Sequence, residues 1–188
     1  MALERATNPE RTLIEAQDRF IAAWGQMGSA WGISRTMAEA HALLFIAGRG
    51  MNTDEVMERL QISRGNASMS LRALVEWGLV SRAHKRGDRK EYFQAETDVW
   101  TMLRTIVRER MKREVEPVLA SLHEIRDMTG ASMPTAPTGE TAEAIEQHNK
   151  NLDELIDVVT TLDKLGHRFA SPSGVGLRIA ATALAKIK

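Results

Sequence analysis

The sequence has no cysteine, which excludes disulfide bonds and thiolate-held metal sites anywhere in its 188 residues. It also lacks long apolar runs. No stretch approaches the roughly 20 apolar residues that span a bilayer, and the first ten residues show no signal-peptide pattern. A hydrophobic fraction of 43% beside a charged fraction of 27% is typical of a soluble globular protein. We therefore expect a cytoplasmic protein.

Net charge is absent as well, because 25 basic side chains balance 25 acidic ones. The charge is nevertheless unevenly distributed. Residues 63–92 contain seven basic and three acidic side chains, which gives +4, whereas residues 114–163 contain eleven acidic and two basic ones, which gives −9. Neutralising phosphates requires local positive charge rather than a basic total. Residues 63–92 are therefore the candidate surface for a polyanion, and the acidic segment is expected to lie away from it.

Catalytic and metal-binding motifs are lacking too. The five histidines are scattered, and the pair His123-Glu124 lacks the second histidine of a zinc-binding helix. We find neither a nucleophile elbow nor a phosphate-binding loop. The sequence therefore predicts a protein that is not an enzyme and that holds no cofactor and no metal.

Two helices joined by a tight turn are predicted between Thr53 and Glu76. Thr53 is a suitable cap for the first helix, and Asp54 and Glu55 favour its positive N-terminal end. This helix should end near Leu60, and Ser63 is a suitable cap for the second. In the second helix, apolar residues at helical spacing define one buried stripe. This stripe consists of Ala67, Leu71, Leu74 and Val75.

The opposite face of the second helix carries small, polar and basic side chains. A helix of this kind can enter the major groove of DNA, with its first amides free to meet phosphate. Met69 has two interpretations, contact with a thymine methyl group or packing on the preceding helix, and Asn66 could instead stabilise the helix start. The candidate DNA contacts are Ser63, Arg64, Gly65, Asn66, Ser68, Met69 and Arg72.

A basic hairpin follows once Gly78 ends the helix. Two strand-like runs, 79–84 and 90–95, flank a tip in which a glycine precedes an aspartate, which is a hairpin-turn signal. Such a wing can contact the DNA backbone or the minor groove, and Arg89 is the residue that we expect to reach the minor groove. The candidate wing contacts are Lys85, Arg86, Asp88, Arg89 and Lys90.

Helices are predicted on both sides of this region. One starts at Asn8-Pro9 with an apolar stripe, in which Gly25 and Gly28 allow close approach of another helix or mark a bend. The next is capped by Ser34, runs from Arg35 to about Ala47 and ends at Gly48 and Gly50. After the hairpin, a long helix over 99–128 should be kinked near Pro117, and a loop should occupy 129–139. A helix over 140–165 shows apolar residues seven apart, and a short helix is predicted through Leu177, Ala180, Leu184 and Ile187.

Three runs together resemble the GbsR-type branch of the MarR superfamily of winged helix-turn-helix transcriptional regulators. They are WGISRTMAEAHALLFIAG, ISRGNASMSLRALVEWGLV and KRGDRKEYFQAETDVW, and they cover about a third of the chain. The resemblance implies a mainly α fold with a small β-wing, in which a winged helix-turn-helix carries long helical dimerisation arms. It also implies that Asp88 orients the wing tip, although a simple turn-forming role is equally open.

The resemblance implies three domains: an N-terminal arm for dimerisation at 1–33, a DNA-binding domain at 34–97, and long helices at 98–188 for dimerisation, which are also the candidate region for effector sensing. The resemblance implies a homodimer that binds double-stranded DNA as a repressor. For the N-terminal helix, an ordinary core position within one subunit is the alternative to a place in the dimer interface.

GbsR-type regulators are associated with choline and glycine betaine, so the resemblance also implies a small-molecule effector. A quaternary ammonium ion would be held by aromatic side chains. The candidates are Phe20, Trp24, Trp31, Phe45 and Trp100, although core packing also explains each of them. The alternatives for the whole protein are a MarR-type regulator with another signal or none, and a winged helix that binds protein instead of DNA.

Overall fold

The computed structural model describes residues 8–130 and 136–171. The chain divides after Met102 into two compact units. The short helix predicted through Leu177 to Ile187 lies outside the described residues. No helix in the described part of the chain is long and apolar enough to cross a membrane.

The first unit opens with two closely packed helices, α1 (Pro9–Ala30) and α2 (Arg35–Ala47). Asn8 Oδ1 caps α1 by accepting from the Glu10 amide at 3.0 Å. Gly25 and Gly28 are buried, and a Cβ atom at Gly28 would lie 2.5 Å from the Ala38 Cβ. The two glycines therefore allow close approach of α2, which is the first of the two roles predicted for them.

Helix α2 forms the centre of this unit. It begins at the predicted cap, Ser34, and ends at Gly48, which adopts the left-handed conformation that favours glycine. Seven of its thirteen residues are buried, so it is covered on most sides. The apolar stripe predicted on α1 is only partly buried, since Leu13 and Trp31 are exposed.

The helix-turn-helix consists of α3 (Thr53–Leu60) and α4 (Arg64–Glu76). Its bounds agree with the prediction, but the cap of α3 is Asn52 and the prediction of Thr53 was wrong. Asn52 Oδ1 accepts from the amides of Asp54 and Glu55 at 3.0 and 3.1 Å, and Glu55 Oε2 accepts from the Asn52 amide at 2.8 Å. This reciprocal pair is a capping box, which Thr53 cannot form because Val56 lies three residues after it.

A three-stranded antiparallel sheet completes the unit. Its strands are β1 (Met51–Asn52), β2 (Val80–His84) and β3 (Glu91–Ala95), in the order β1-β3-β2. The sequence predicted β2 and β3 but not β1, whose Met51 pairs with Phe93 and whose Asn52 pairs with Tyr92. The strand that precedes α3 is thereby bonded to the wing.

The second unit contains two long helical segments. Helix α5 (Val99–Arg110) crosses the division between the units and is followed by a π-helical turn (Met111–Val115) and α6 (Glu116–Met128). A π-helical turn thus lies just before Pro117, where the sequence predicted a kink, and proline cannot donate to the carbonyl four residues earlier. Helix α7 (Glu140–Ala170) extends five residues beyond the predicted end and packs on α6.

The contact between α6 and α7 separates the apolar residues of α7 into two faces. Asn149 exchanges hydrogen bonds with Thr129, and Asp153 pairs with Arg126 at 2.8 Å, so their face of α7 is turned to α6. Ile145, Leu152 and Val159 are half-buried on this face. A second set, His148, Leu155 and Leu162, is exposed. The predicted fold class, mainly helical with a small β-wing, is confirmed by this arrangement.

Candidate nucleic-acid interface

Helix α4 is held in a fixed rotation by its cap and its buried side. Ser63 Oγ accepts from the Asn66 amide at 3.3 Å, and the Ser63 backbone is extended, as at a standard helix start. Ala67, Leu71 and Leu74 are fully buried, whereas Val75 is half-buried. The stripe predicted from helical spacing is therefore on the buried side of α4, where Ser70 is buried beside it.

The outward side of α4 presents two large side chains near its middle. Met69 is 60% exposed, so a large part of its side chain is accessible to a partner. Arg72 Nε donates to the Ser68 carbonyl oxygen at 3.3 Å, which directs the guanidinium along the helix surface. The other predicted α4 contacts are exposed or, for Ser68, half-buried: Ser63, Arg64, Gly65, Asn66 and Ser68.

The wing is a regular hairpin with a basic tip. Strand β2 pairs with β3 from Val80 opposite Ala95 to His84 opposite Glu91. Gly87 has a φ of 85°, and the Asp88 amide donates to the Lys85 carbonyl oxygen at 3.0 Å, which closes the turn. Every residue from Lys85 to Lys90 is exposed, so the predicted wing contacts all lie at the surface.

Asp88 fixes the conformation of the tip. Its Oδ1 accepts from the Lys90 amide at 2.9 Å, and its Oδ2 accepts from the Tyr92 hydroxyl at 2.7 Å. The Tyr92 hydroxyl first, and then the Lys90 amide, hold the pKa of the Asp88 carboxyl below its usual value. Both roles considered for Asp88 therefore coincide, since it forms the turn and ties the tip to β3.

Asp54 joins the helix-turn-helix to the wing. Its Oδ1 accepts from Arg64 at 2.5 Å, and its Oδ2 accepts from Lys90 Nζ at 3.1 Å. Lys90 first, and then Arg64, lower the pKa of the Asp54 carboxyl, and Asp54 in turn raises the pKa of Lys90. The three side chains belong to α3, the first residue of α4 and the end of the wing tip. We call them the Asp54 triad.

The aromatic residues considered for an effector do not all meet. Phe20 lies 5.8 Å from Trp24 and 6.3 Å from Phe45 between ring centroids. Trp31 and Trp100 lie at positions that are 50% and 39% exposed. Three of the five candidates thus form one cluster between α1 and α2.

His41 completes that cluster, a role that the sequence did not reveal. Its ring lies 6.0 Å from Trp24 and 6.4 Å from Phe45. The residue is 3% exposed, and Nε2 has no hydrogen-bond partner in the described part of the chain. Burial lowers the pKa of His41 to about 4, so the ring is neutral at pH 7.

Sequence reasoning missed the Asp54 triad and His41 for one reason. Asp54 was interpreted only as a favourable charge at a helix start, and its contact with Lys90 spans 36 positions. No local spacing indicates such a contact. The cap at Asn52 was different, because Asn52 and Glu55 have the spacing of a capping box and could have been recognised.

These features define a winged helix-turn-helix with an exposed basic recognition helix. Comparison with known proteins agrees. Residues 31–91 match the MarR family. The HTH-type transcriptional repressor GbsR of Bacillus subtilis (strain 168) is 28% identical over 118 residues, which are 62% of this chain and 65% of that repressor. The alignment thus spans less than two thirds of the repressor.

A solved structure described as a transcriptional regulator has a similar fold. It aligns with a TM-score of 0.56 and 18% identity, and the alignment covers 82% of this chain and 95% of that one. The match over residues 31–91 and the similarity to GbsR confirm the resemblance of this chain to GbsR-type members of the MarR superfamily.

Proposed function

We propose that this protein is a sequence-specific DNA-binding transcriptional regulator that acts as a homodimeric repressor. The observation that carries the proposal is the outward face of α4 beside the basic wing tip. The buried stripe turns Arg64, Ser68 and Arg72 away from the core, and the wing adds Lys85, Arg86, Arg89 and Lys90, all of them exposed. A cytoplasmic location goes with such a function.

The surface favours DNA over a protein partner. Protein interfaces depend on large apolar or aromatic anchors that become fully desolvated. Met69 is the single large apolar side chain exposed on α4, and its neighbours on that face are small, polar or basic. A face of small, polar and basic side chains is suited to contacts with phosphates and base edges, and the Met69 thioether could contact a thymine methyl group.

A second copy of the chain is supported by the exposed side of the second unit. On α7, the apolar side chains of Leu155, Val158, Leu162 and Leu165 are exposed at alternating spacings of three and four. This is the pattern of a helix seam that is covered by another helix. Burying one leucine or valine side chain contributes roughly 1.5 to 3 kcal/mol, so these three leucines and one valine give substantial favourable free energy.

Helix α6 carries a shorter exposed stripe of the same kind, Val118, Ile125 and Met128. Two such helix pairs could bury their stripes against each other around a two-fold axis. Dimerisation would present two winged helix-turn-helix domains, which we call reading heads. Dimeric proteins of this class bind half-sites about one helical turn of DNA, roughly 34 to 36 Å, apart. The division of the chain into two helical arms on either side of a DNA-binding domain is part of the same proposal.

Sensing of choline or glycine betaine is a further part of the proposal and rests on the resemblance to GbsR-type regulators. The aromatic cluster of Phe20, Trp24 and Phe45 is the candidate site. A bound cation lies over a ring face and within about 6 Å of the ring centroid. The rings of this cluster are 5.8 to 6.3 Å apart between centroids, so more than one of them could contact the same cation.

DNA binding is tested by footprinting the protein on its own upstream DNA and then measuring affinity for the protected duplex at several salt concentrations. We expect binding that weakens steeply with salt, because bound cations release counterions from DNA. Arg72→Ala and Arg89→Ala should each weaken binding while leaving the melting temperature unchanged, since both side chains are exposed. Binding in which neither variant differs from the wild type would refute these two assignments.

The remaining parts of the proposal need separate measurements. Light scattering at micromolar concentration should give the mass of two chains, and a stable monomer would rule out the dimer. Footprints with and without choline test the effector. Loss of protection with choline is expected, whereas an unchanged footprint would favour a regulator with another signal or none.

A further inference from the structure

We propose that Asp54 is a positioning residue that sets how the reading head distinguishes its operator from other DNA. It would do so by holding Arg64 and Lys90 in ion pairs, which lowers their combined charge from +2 to +1, until the DNA is in register. This inference rests on the proposed function and concerns a residue that lies outside the recognition helix and the wing tip.

The geometry of the triad supports a positioning role. One carboxylate bonds two cations through different oxygens, at 2.5 Å to Arg64 and 3.1 Å to Lys90. Arg64 is the first residue of α4, and Lys90 ends the wing tip just before β3. Asp54 therefore links the side chains of the two elements that we propose to contact DNA.

Two further contacts hold the carboxylate itself in place. Asp54 lies in the first turn of α3, and its amide donates to the Asn52 cap at 3.0 Å. Asn52 also belongs to β1 and pairs with Tyr92 of β3. Asn52 thus connects the backbone of Asp54 to β3, so the triad is attached to the sheet.

The charge of the triad gives the functional consequence. Two cations and one anion leave a net charge of +1. A DNA molecule that is not aligned with the reading head therefore meets a net charge of +1, although two positive side chains are present. Strong attraction to any duplex raises non-specific binding, which is almost entirely electrostatic. By contrast, a duplex in register gains contacts with two cations that are already in place. Asp54 should therefore weaken non-specific binding more than operator binding.

The test compares Asp54→Asn with Glu58→Gln. Glu58 lies on the same helix and is exposed, and its substitution changes the net charge by the same amount without touching the triad. Affinity is measured for a random-sequence duplex and for the footprinted duplex between 50 and 200 mM salt. Asp54→Glu serves as the conservative variant, since it keeps the charge and can reach both partners.

We expect Asp54→Asn to bind random DNA more tightly and with a steeper salt dependence, whereas Glu58→Gln and Asp54→Glu should resemble the wild type. One additional phosphate neutralised per head steepens the slope of log K against log salt by about 0.9. Between 50 and 200 mM salt, the ratio of variant to wild-type affinity should then fall about 3.5-fold. The preference for operator over random DNA should decrease.

A second comparison, made in protein that already carries Lys90→Gln, shows which cation produces the effect. There, adding Asp54→Asn should increase the affinity for random-sequence DNA by a smaller factor, because only Arg64 is released from its ion pair. Equal slopes for Asp54→Asn and Glu58→Gln would overturn the inference, as would weaker binding to both duplexes with an unchanged slope, which is the signature of a purely structural role. Should Asp54→Asn fail to fold, Asp54→Ser, which suits a first helical turn, replaces it.

Failure of this inference is distinguishable from failure of the proposed function. Wild-type protein that binds no duplex in a salt-dependent way would contradict the proposed function itself. Wild-type protein that binds DNA, with an Asp54→Asn variant that behaves as Glu58→Gln does, would contradict only the role of Asp54.

Discussion

Acidification should destabilise the fold through His41, even though this residue makes no ion pair in the described part of the chain. The ring is buried among Trp24 and Phe45, and burial lowers its pKa from 6.5 to about 4. The unfolded chain takes up a proton near pH 6.5, whereas the folded chain resists protonation down to about pH 4. The stabilisation is therefore complete above pH 6.5 and is lost as the pH falls towards 4.

The size of the effect follows from the two pKa values. At pH 5 the unfolded chain is almost fully protonated at His41, while the folded chain is about nine-tenths neutral. One unit of pKa difference corresponds to about 1.4 kcal/mol, so the free energy of unfolding should fall by roughly 2 kcal/mol between pH 7 and pH 5. This is a large part of the 5 to 15 kcal/mol that is typical of a folded domain.

Urea unfolding of the wild type and of His41→Leu measures this contribution. Leucine fills a similar volume and does not titrate, so the difference between the two proteins removes the contributions of all other groups. Protein concentration must be kept constant, since dimer stability depends on it. We expect the advantage of His41→Leu to grow by roughly 2 kcal/mol from pH 7 to pH 5. Parallel pH profiles for the two proteins would refute the reasoning.

Three substitutions test packing, capping and assembly. Gly28→Ala should lower the free energy of unfolding by roughly 1 to 2 kcal/mol in a urea titration, because the added methyl group would lie 2.5 Å from a methyl group of α2 and only part of that strain is offset by the helix preference of alanine. Asn52→Ala should lower it by about 1 kcal/mol through loss of the α3 cap. Leu162→Glu places a charge on the exposed α7 stripe and should shift the mass in light scattering towards one chain.

Each substitution has a matched control. A Cβ atom at Gly65 meets nothing closer than 4.0 Å, so Gly65→Ala should stabilise α4, and a loss equal to that of Gly28→Ala would contradict the packing argument. Thr53→Ala should be nearly neutral, and a cost equal to that of Asn52→Ala would restore Thr53 as the cap. Thr141→Glu adds the same charge at an exposed position in the first turn of α7 and should leave the mass unchanged.

The parts of the fold that were predicted correctly are those fixed by neighbouring residues. Ser34 and Ser63 begin helices, and Gly48 and Gly78 end them, because caps and left-handed turns depend on a few consecutive positions. The hairpin follows from the same kind of local signal. Strand β1 was missed because two residues carry no recognisable periodicity.

The sequence predicted which side of α4 faces outward, but it did not predict the contacts between distant side chains at the candidate site. Helical spacing around Leu71 gave the buried side of α4 and hence its outward side. It could not indicate that Asp54 reaches Lys90, or that His41 meets Trp24 of another helix, since both contacts form only after distant segments have packed together. Nor could it separate the two faces of α7, because both carry apolar residues seven apart and only the contact with α6 distinguishes them.

The ion pairs also limit what one reading head can contribute to DNA affinity. Of the seven cations in residues 63–92, Arg64 and Lys90 pair with Asp54, and Arg82 pairs with Glu91 at 3.2 Å. The other four are Arg72, Lys85, Arg86 and Arg89. For random-sequence DNA, which leaves these ion pairs in place, four cations at about 0.9 per phosphate give a slope of roughly −3.6 for one head and roughly −7 for two. A measured slope near the smaller value, from protein with the mass of two chains, would mean that only one head touches the DNA.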